Sequence, residues 1–186
     1  MSKSAVHLLL TDAYLQRITA LHAELGIARD YGAQRGLTLQ PEADAAALRI
    51  IAQKSDGSTV QLIPSAAVAW AHIKTAARAA GVELLPLSGF RSVARQADII
   101  RTELAAGRAL ADLLTSIAAP GFSEHHTGCA LDLGAPDEPP LAEGFAQTAA
   151  YTWLTLHAGR HGFHLSYPRA NPHGIVYEPW HWCWRA

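Results

Sequence analysis

Three histidines, three carboxylates and an arginine fall within three short stretches of this 186-residue chain, and among them are the types and spacings that suit metal-assisted hydrolysis. The stretches are Ser88-Gly-Phe-Arg91-Ser92, Ser123-Glu-His125-His-Thr-Gly128-Cys-Ala130-Leu-Asp132 and Glu178-Pro-Trp-His181. Two imidazoles and a carboxylate make a three-ligand set that leaves a position for water. A further carboxylate can act as general base, and a guanidinium can face charge that develops on an oxygen. His125, Asp132 and His181 are therefore the candidate metal ligands, Glu178 the candidate base and Arg91 the candidate cation.

The spacings say what kind of backbone must carry these groups. His125 and Asp132 are seven apart, which fits a loop residue and a strand residue that converge, with Gly128 free to turn between them. Small Ala130 shares a strand face with Asp132 and leaves room beside it. Pro179 between Glu178 and His181 disfavours a regular helix there, so a turn or a strand entry is expected to aim both inward. Taken singly, such histidines are more often surface or hydrogen-bonded core residues. The combination carries the reading, and His126, next to His125, stays open as an alternative ligand. His161, His164 and His173 are expected to face solvent or serve structure.

The elements follow from periodicity and punctuation. A helix is expected over residues 11–28, capped by Thr11 and Asp12, and a hairpin turns at Asp56-Gly57 between β-prone runs in 47–63. Pro64 opens an alanine-rich helix that Gly81 stops, and residues 83–87 form a short strand into the Ser-Gly-Phe-Arg turn. Ser92 caps a helix carrying Gln96, and further helices are expected over 109–118 and 146–162. Strands are expected at 130–133, 163–167 and 175–184. One α+β domain with a central antiparallel sheet flanked by helices is the economical reading. Residues 1–63 are read as an N-terminal helix and hairpin packed on a 64–186 core.

Composition narrows the partners. Forty-nine per cent hydrophobic residues and a formal charge of −1 describe an ordinary globular chain with no basic surplus for nucleic acid or an anionic membrane. Two cysteines make no disulfide framework, so Cys129 and Cys183 read as free thiols. The apolar run before Thr11 is three residues long, too short for an export signal, and a cytoplasmic location is expected.

At the quoted motifs the sequence resembles the zinc D-Ala-D-Ala carboxypeptidases of the VanY and VanX type, within the wider lysostaphin and hedgehog group. The pattern Ser-x-His-x-x-Gly-x-Ala-x-Asp is met at every fixed position from Ser123 to Asp132. Glu178-Pro-Trp-His181 meets Glu-x-x-His, and Ser88 to Gln96 meets Ser-Gly-Tyr-Arg-Ser-x-x-x-Gln with Phe90 in place of tyrosine. The resemblance spans about residues 64–184. It implies the hedgehog-like peptidase fold, one zinc ion on His125, Asp132 and His181, Glu178 as base and Arg91 beside the scissile bond. Arg91, Gln96 and Ser123 are implied as substrate contacts. Peptidoglycan stem peptides or muropeptides ending in D-Ala are the implied substrates, and the expected cytoplasmic location, rather than any pocket residue, favours LD over DD cleavage. An L-Ala–D-Glu endopeptidase and a non-catalytic zinc-stabilised binding module are the alternatives.

Overall fold

The computed structural model describes residues 10–186; residues 1–9, with the start of the apolar run before Thr11, lie outside it. The first helix, α1 (Asp12–Leu25), begins where the Thr11 hydroxyl accepts the Tyr14 amide and ends at Gly26 in the left-handed region, φ 73°. After the short α2 (Tyr31–Arg35) come β1 (Arg49–Gln53) and β2 (Thr59–Leu62), an antiparallel hairpin. Pro64 opens α3 (Pro64–Ala79), where its missing amide costs no hydrogen bond. Then follow β3 (Leu85–Ser88), α4 (Val93–Ala105), α5 (Leu110–Leu113), β4 (Ala130–Gly134), α6 (Ala149–His157), β5 (Phe163–Leu165) and β6 (His181–Trp184).

Four of the strands make one antiparallel sheet in the order β3-β4-β6-β5. Alternation divides its two faces. Leu131 and Leu133 of β4 and Trp182 of β6 enter the main core with Trp70, Ile73 and Ala77 of α3, Leu154 of α6 and Phe163. The intervening residues, Ala130 and Asp132 on β4 and His181 and Cys183 on β6, take the other parity. The register sets Asp132 against His181 and Ala130 against Cys183. A second core joins Leu25, Ile27 and Tyr31 to Ala97 and Ile100 of α4 and to Leu113.

Residues before β3 also brace the chemistry-bearing loops through the backbone. The Phe90 amide donates to Gln61 (2.7 Å), Ile63 to Gly128 (3.0 Å), Ala43 to His126 (2.8 Å) and Gln40 to Gly121 (2.8 Å). Glu42 accepts the Val93 amide at the start of α4 (2.6 Å) and also pairs with Arg17. Gly89 lies so close to β2 that a β-carbon there would stand 2.4 Å from the Gln61 carbonyl oxygen, so only glycine fits.

Apart from one to three residues trimmed at the ends of α1 and β5, three expected elements come out shorter. The helix expected over 109–118 is α5 alone, because the Thr115 and Ser116 hydroxyls bond the carbonyls of Asp112 and Leu113 and Pro120 follows. The helix expected over 146–162 is split: a 3₁₀ turn precedes Thr148, whose hydroxyl caps α6, and a second 3₁₀ turn runs to Gly162. The last strand, expected from 175, begins at His181, since Pro179 has no amide to offer a ladder. Among the described residues no helix is long and apolar enough to cross a membrane.

Candidate metal centre

The three motif stretches close on one another at the upper face of β4 and β6. The loop before β4 is a 3₁₀ turn, Glu124–Thr127, which ends at Gly128 in the left-handed region, φ 67°. It is clasped to the Ser88–Ser92 turn: the Arg91 amide donates to the His125 carbonyl (3.1 Å), and His125 Nδ1 lies 2.7 Å from the Gly89 carbonyl. A carbonyl can only accept, so His125 carries its proton on Nδ1 and turns the Nε2 lone pair toward Asp132. His181 arrives by a turn, its amide donating to the Glu178 carbonyl (3.1 Å), and β6 begins at that residue.

Asp132 is the hub. Its Oδ2 is 3.1 Å from His125 Nε2 and its Oδ1 is 3.0 Å from His181 Nδ1. One ligand atom from each of the three residues lies within 4.8 Å of the others, and all three side chains are buried. Burial alone would raise the Asp132 pKa, but the two imidazoles hold it far below the usual carboxylate range. Burial likewise depresses both histidines. His125 stays low, with only the Asp132 carboxylate to oppose burial, whereas His181, bonded to Asp132 and Glu124, is lifted to about 10. Such a set fits a divalent cation: two imidazole nitrogens and one carboxylate oxygen around a single point in a buried place.

The other expected site residues are placed as follows. Glu178 stands beside the centre with Oε2 3.9 Å from His181 Nδ1; burial pushes its pKa up to about 7, Asp132 adds to the rise, and His181 and Arg91 oppose it. Arg91 faces the same cavity; burial lowers its pKa, the charges of Asp132 and Glu178 resist, and its Nε has no hydrogen-bond partner among the described residues. Gln96 and Ser123 line the cavity too, both buried, with Gln96 Nε2 donating to the Ala118 carbonyl (2.6 Å). The cavity measures about 390 Å³, and exposed Leu141 and Val176 stand at its lining alongside Tyr167 and Trp180.

His126 is not a ligand here. Its Nδ1 bonds the Arg91 carbonyl (2.7 Å) and its Nε2 accepts the Gly121 amide (3.1 Å), so both nitrogens are occupied by backbone. Arg95 is exposed on α4, and His173 bonds the Arg35 carbonyl (2.9 Å) in a structural role. Cys129 and Cys183 are free thiols. Two residues at the centre escape the sequence patterns. The Glu124 carboxylate is 3.0 Å from His181 Nε2, and the Tyr167 ring packs against that of His181 at 5.0 Å between centroids. Glu124 sits in a variable position of the Ser-x-His pattern, which gave it no weight; nothing local marks Tyr167.

Known proteins resemble this chain over much of its length. The family model described as VanY, D-alanyl-D-alanine carboxypeptidase, matches residues 59–186. The chain is 37% identical over 110 residues to a putative carboxypeptidase, YodJ, of Bacillus subtilis (strain 168), an alignment covering 57% of this chain and 40% of that one. It thus spans only about two fifths of that curated relative. Among solved structures it is similar to the LdcB LD-carboxypeptidase, with TM-score 0.68, 30% identity and coverage of 76% of this chain and 69% of that one. It is also similar to a vancomycin-resistance D,D-pentapeptidase VanY in complex with Zn(II), with TM-score 0.57, 27% identity and coverage of 78% and 83%.

Proposed function

We propose, on the premise that this chain belongs to the VanY family of D-alanyl-D-alanine carboxypeptidases, that it is a zinc carboxypeptidase removing the terminal D-Ala of peptidoglycan stem peptides. The observation that carries the reading is the meeting of both imidazoles on Asp132, with Glu178 and Arg91 facing the same cavity. His125, Asp132 and His181 would hold the ion, which when bound supplies Lewis acidity toward a carbonyl and makes water a stronger acid.

The chain's own groups do the rest. Glu178, buried beside His181, takes a proton from the attacking water and returns it to the leaving amine; a base with a pKa near neutrality is suited to both transfers. Arg91 sets its guanidinium against the negative charge that builds on the carbonyl oxygen. Gln96 and Ser123 contact the peptide from the cavity wall. Burial of these groups strengthens each electrostatic contact relative to water.

Within this class, LD cleavage of a tetrapeptide stem, free or as a muropeptide, is the preferred reading. The likeness to the LD-carboxypeptidase LdcB, at 30% identity and TM-score 0.68, supports it. The test is mass spectrometry of products from zinc-loaded protein given tetrapeptide and pentapeptide stems separately, with Glu178→Ala as control. D-Ala from the tetrapeptide alone is expected. Release from the pentapeptide alone would replace LD by DD activity, and no D-Ala from either would defeat the carboxypeptidase reading.

A further inference from the structure

We infer that Glu124 is a positioning residue of the metal centre: its carboxylate holds the Nε2–H of His181 and thereby turns Nδ1 toward the ion. The inference rests on the metal-centre reading above and adds to it a residue that contacts neither ion nor substrate.

The tautomer is the crux. A neutral imidazole has one lone pair and one N–H, and the nitrogen that binds a cation must be the one without the proton. The His181 nitrogen on the Asp132 side is Nδ1, at 3.0 Å, so with an ion among the three ligands the ring would keep its one proton on Nε2. Oε2 of Glu124 stands 3.0 Å from Nε2, where it can only accept. A carboxylate there fixes the ring and makes its other nitrogen a better donor to a metal. The two histidine ligands are thus supported unequally. His125 leans on a backbone dipole, the Gly89 carbonyl at 2.7 Å, whereas His181 leans on a full negative charge.

Glu124 is held for this task. It opens the 3₁₀ turn that also presents His125, so one turn supplies a ligand and the support of another ligand. Its side chain is only 16% exposed, and on its open side Arg185 reaches Oε1 at 3.4 Å. It opens not on the catalytic cavity but on a separate recess with Ser166, His173 and Arg185, so it acts from behind His181.

The test titrates the full chain, stripped of metal, with Zn(II) against a chromophoric chelator and with Co(II) followed by visible absorption. Glu124→Met keeps the bulk and removes the acceptor; its zinc affinity should fall by about 10–100-fold and its Co(II) spectrum should change. Glu124→Gln restores an acceptor oxygen and should recover most of the loss. Arg185→Ala, which removes only the outer contact, should bind as the unaltered chain does. Thermal melting of the metal-free forms separates a folding effect, and Glu124→Ala replaces the Met variant, by the same criteria, should that one not fold. Unchanged affinity and spectrum in the folded variant would overturn the inference. Failure of the unaltered chain to bind either ion would instead defeat the metal-centre reading itself.

Discussion

Asp132 and His181 are direct partners in the β4–β6 ladder, and the same pairing sets Oδ1 3.0 Å from Nδ1. Two ligands are therefore fixed by strand register, the least deformable part of the site. Because the β4–β6 ladder rather than the ion sets these two ligands, chelation should leave the chain folded at room temperature. Zinc at a thousandfold its dissociation constant adds about 4 kcal/mol, or a rise in Tm of about 8–16 °C for a chain of this size. Differential scanning calorimetry with and without chelator checks this; an unfolded metal-free form would contradict it.

Glu178→Gln keeps the shape and removes the base. D-Ala release should fall by about 10²–10⁴-fold while zinc content, read by elemental analysis, stays at one per chain. Activity within tenfold of the unaltered chain would remove Glu178 from its role.

Arg91→Ala should lower turnover by about 10²–10³-fold with zinc affinity unchanged, because the guanidinium is placed to meet charge at the substrate rather than at the ion. Arg91→Lys should recover only part of the rate, since an ammonium is a point charge without the planar fork. A rise in KM alone would assign Arg91 to binding.

Gly89→Ala drives a β-carbon to 2.4 Å from the Gln61 carbonyl oxygen and 3.1 Å from its amide nitrogen, both backbone atoms that cannot swing aside. A loss of about 1–3 kcal/mol in urea unfolding is expected. Zinc affinity should weaken as well, because the Gly89 carbonyl orients His125.

Stability should fall on mild acidification through His22. Its Nε2 donates to the Pro120 carbonyl at 2.8 Å; burial lowers its pKa below 6.5, with that hydrogen bond opposing the shift. The folded state thus binds fewer protons than the unfolded chain, so the contribution is intact above pH 6.5 and lost as pH falls toward the folded pKa. The slope approaches at most about 1.4 kcal/mol per pH unit. Unfolding of zinc-saturated protein between pH 7 and 5, set against His22→Gln, reads it as the difference in slope; parallel curves would refute it.

The chemistry was legible because hydrolysis restricts residue types and the strands restrict parity. Ala130 and Asp132 share a face as alternation requires, and of the turn or strand entry that Pro179 left open, the turn delivers His181. His126 could not be separated from His125 without knowing that its two nitrogens meet the Arg91 carbonyl and the Gly121 amide. Bonds made by main-chain atoms, such as Ala43 to His126, leave no signature in residue types. The contraction of the final strand to four residues reflects tertiary demand: the backbone over 175–180 is used to shape the cavity wall, where Val176 and Trp180 stand, instead of extending a ladder.

The shared family pattern starts at residue 59, yet three hydrogen bonds to the active loops come from further upstream: Gln40 to Gly121, Ala43 to His126 and Glu42 to Val93. Inheritance and cooperativity therefore have different boundaries in this chain. A fragment trimmed to the span of recognisable ancestry would keep every group that can touch zinc or peptide while leaving the Gly121 and His126 carbonyls and the first amide of α4 to water.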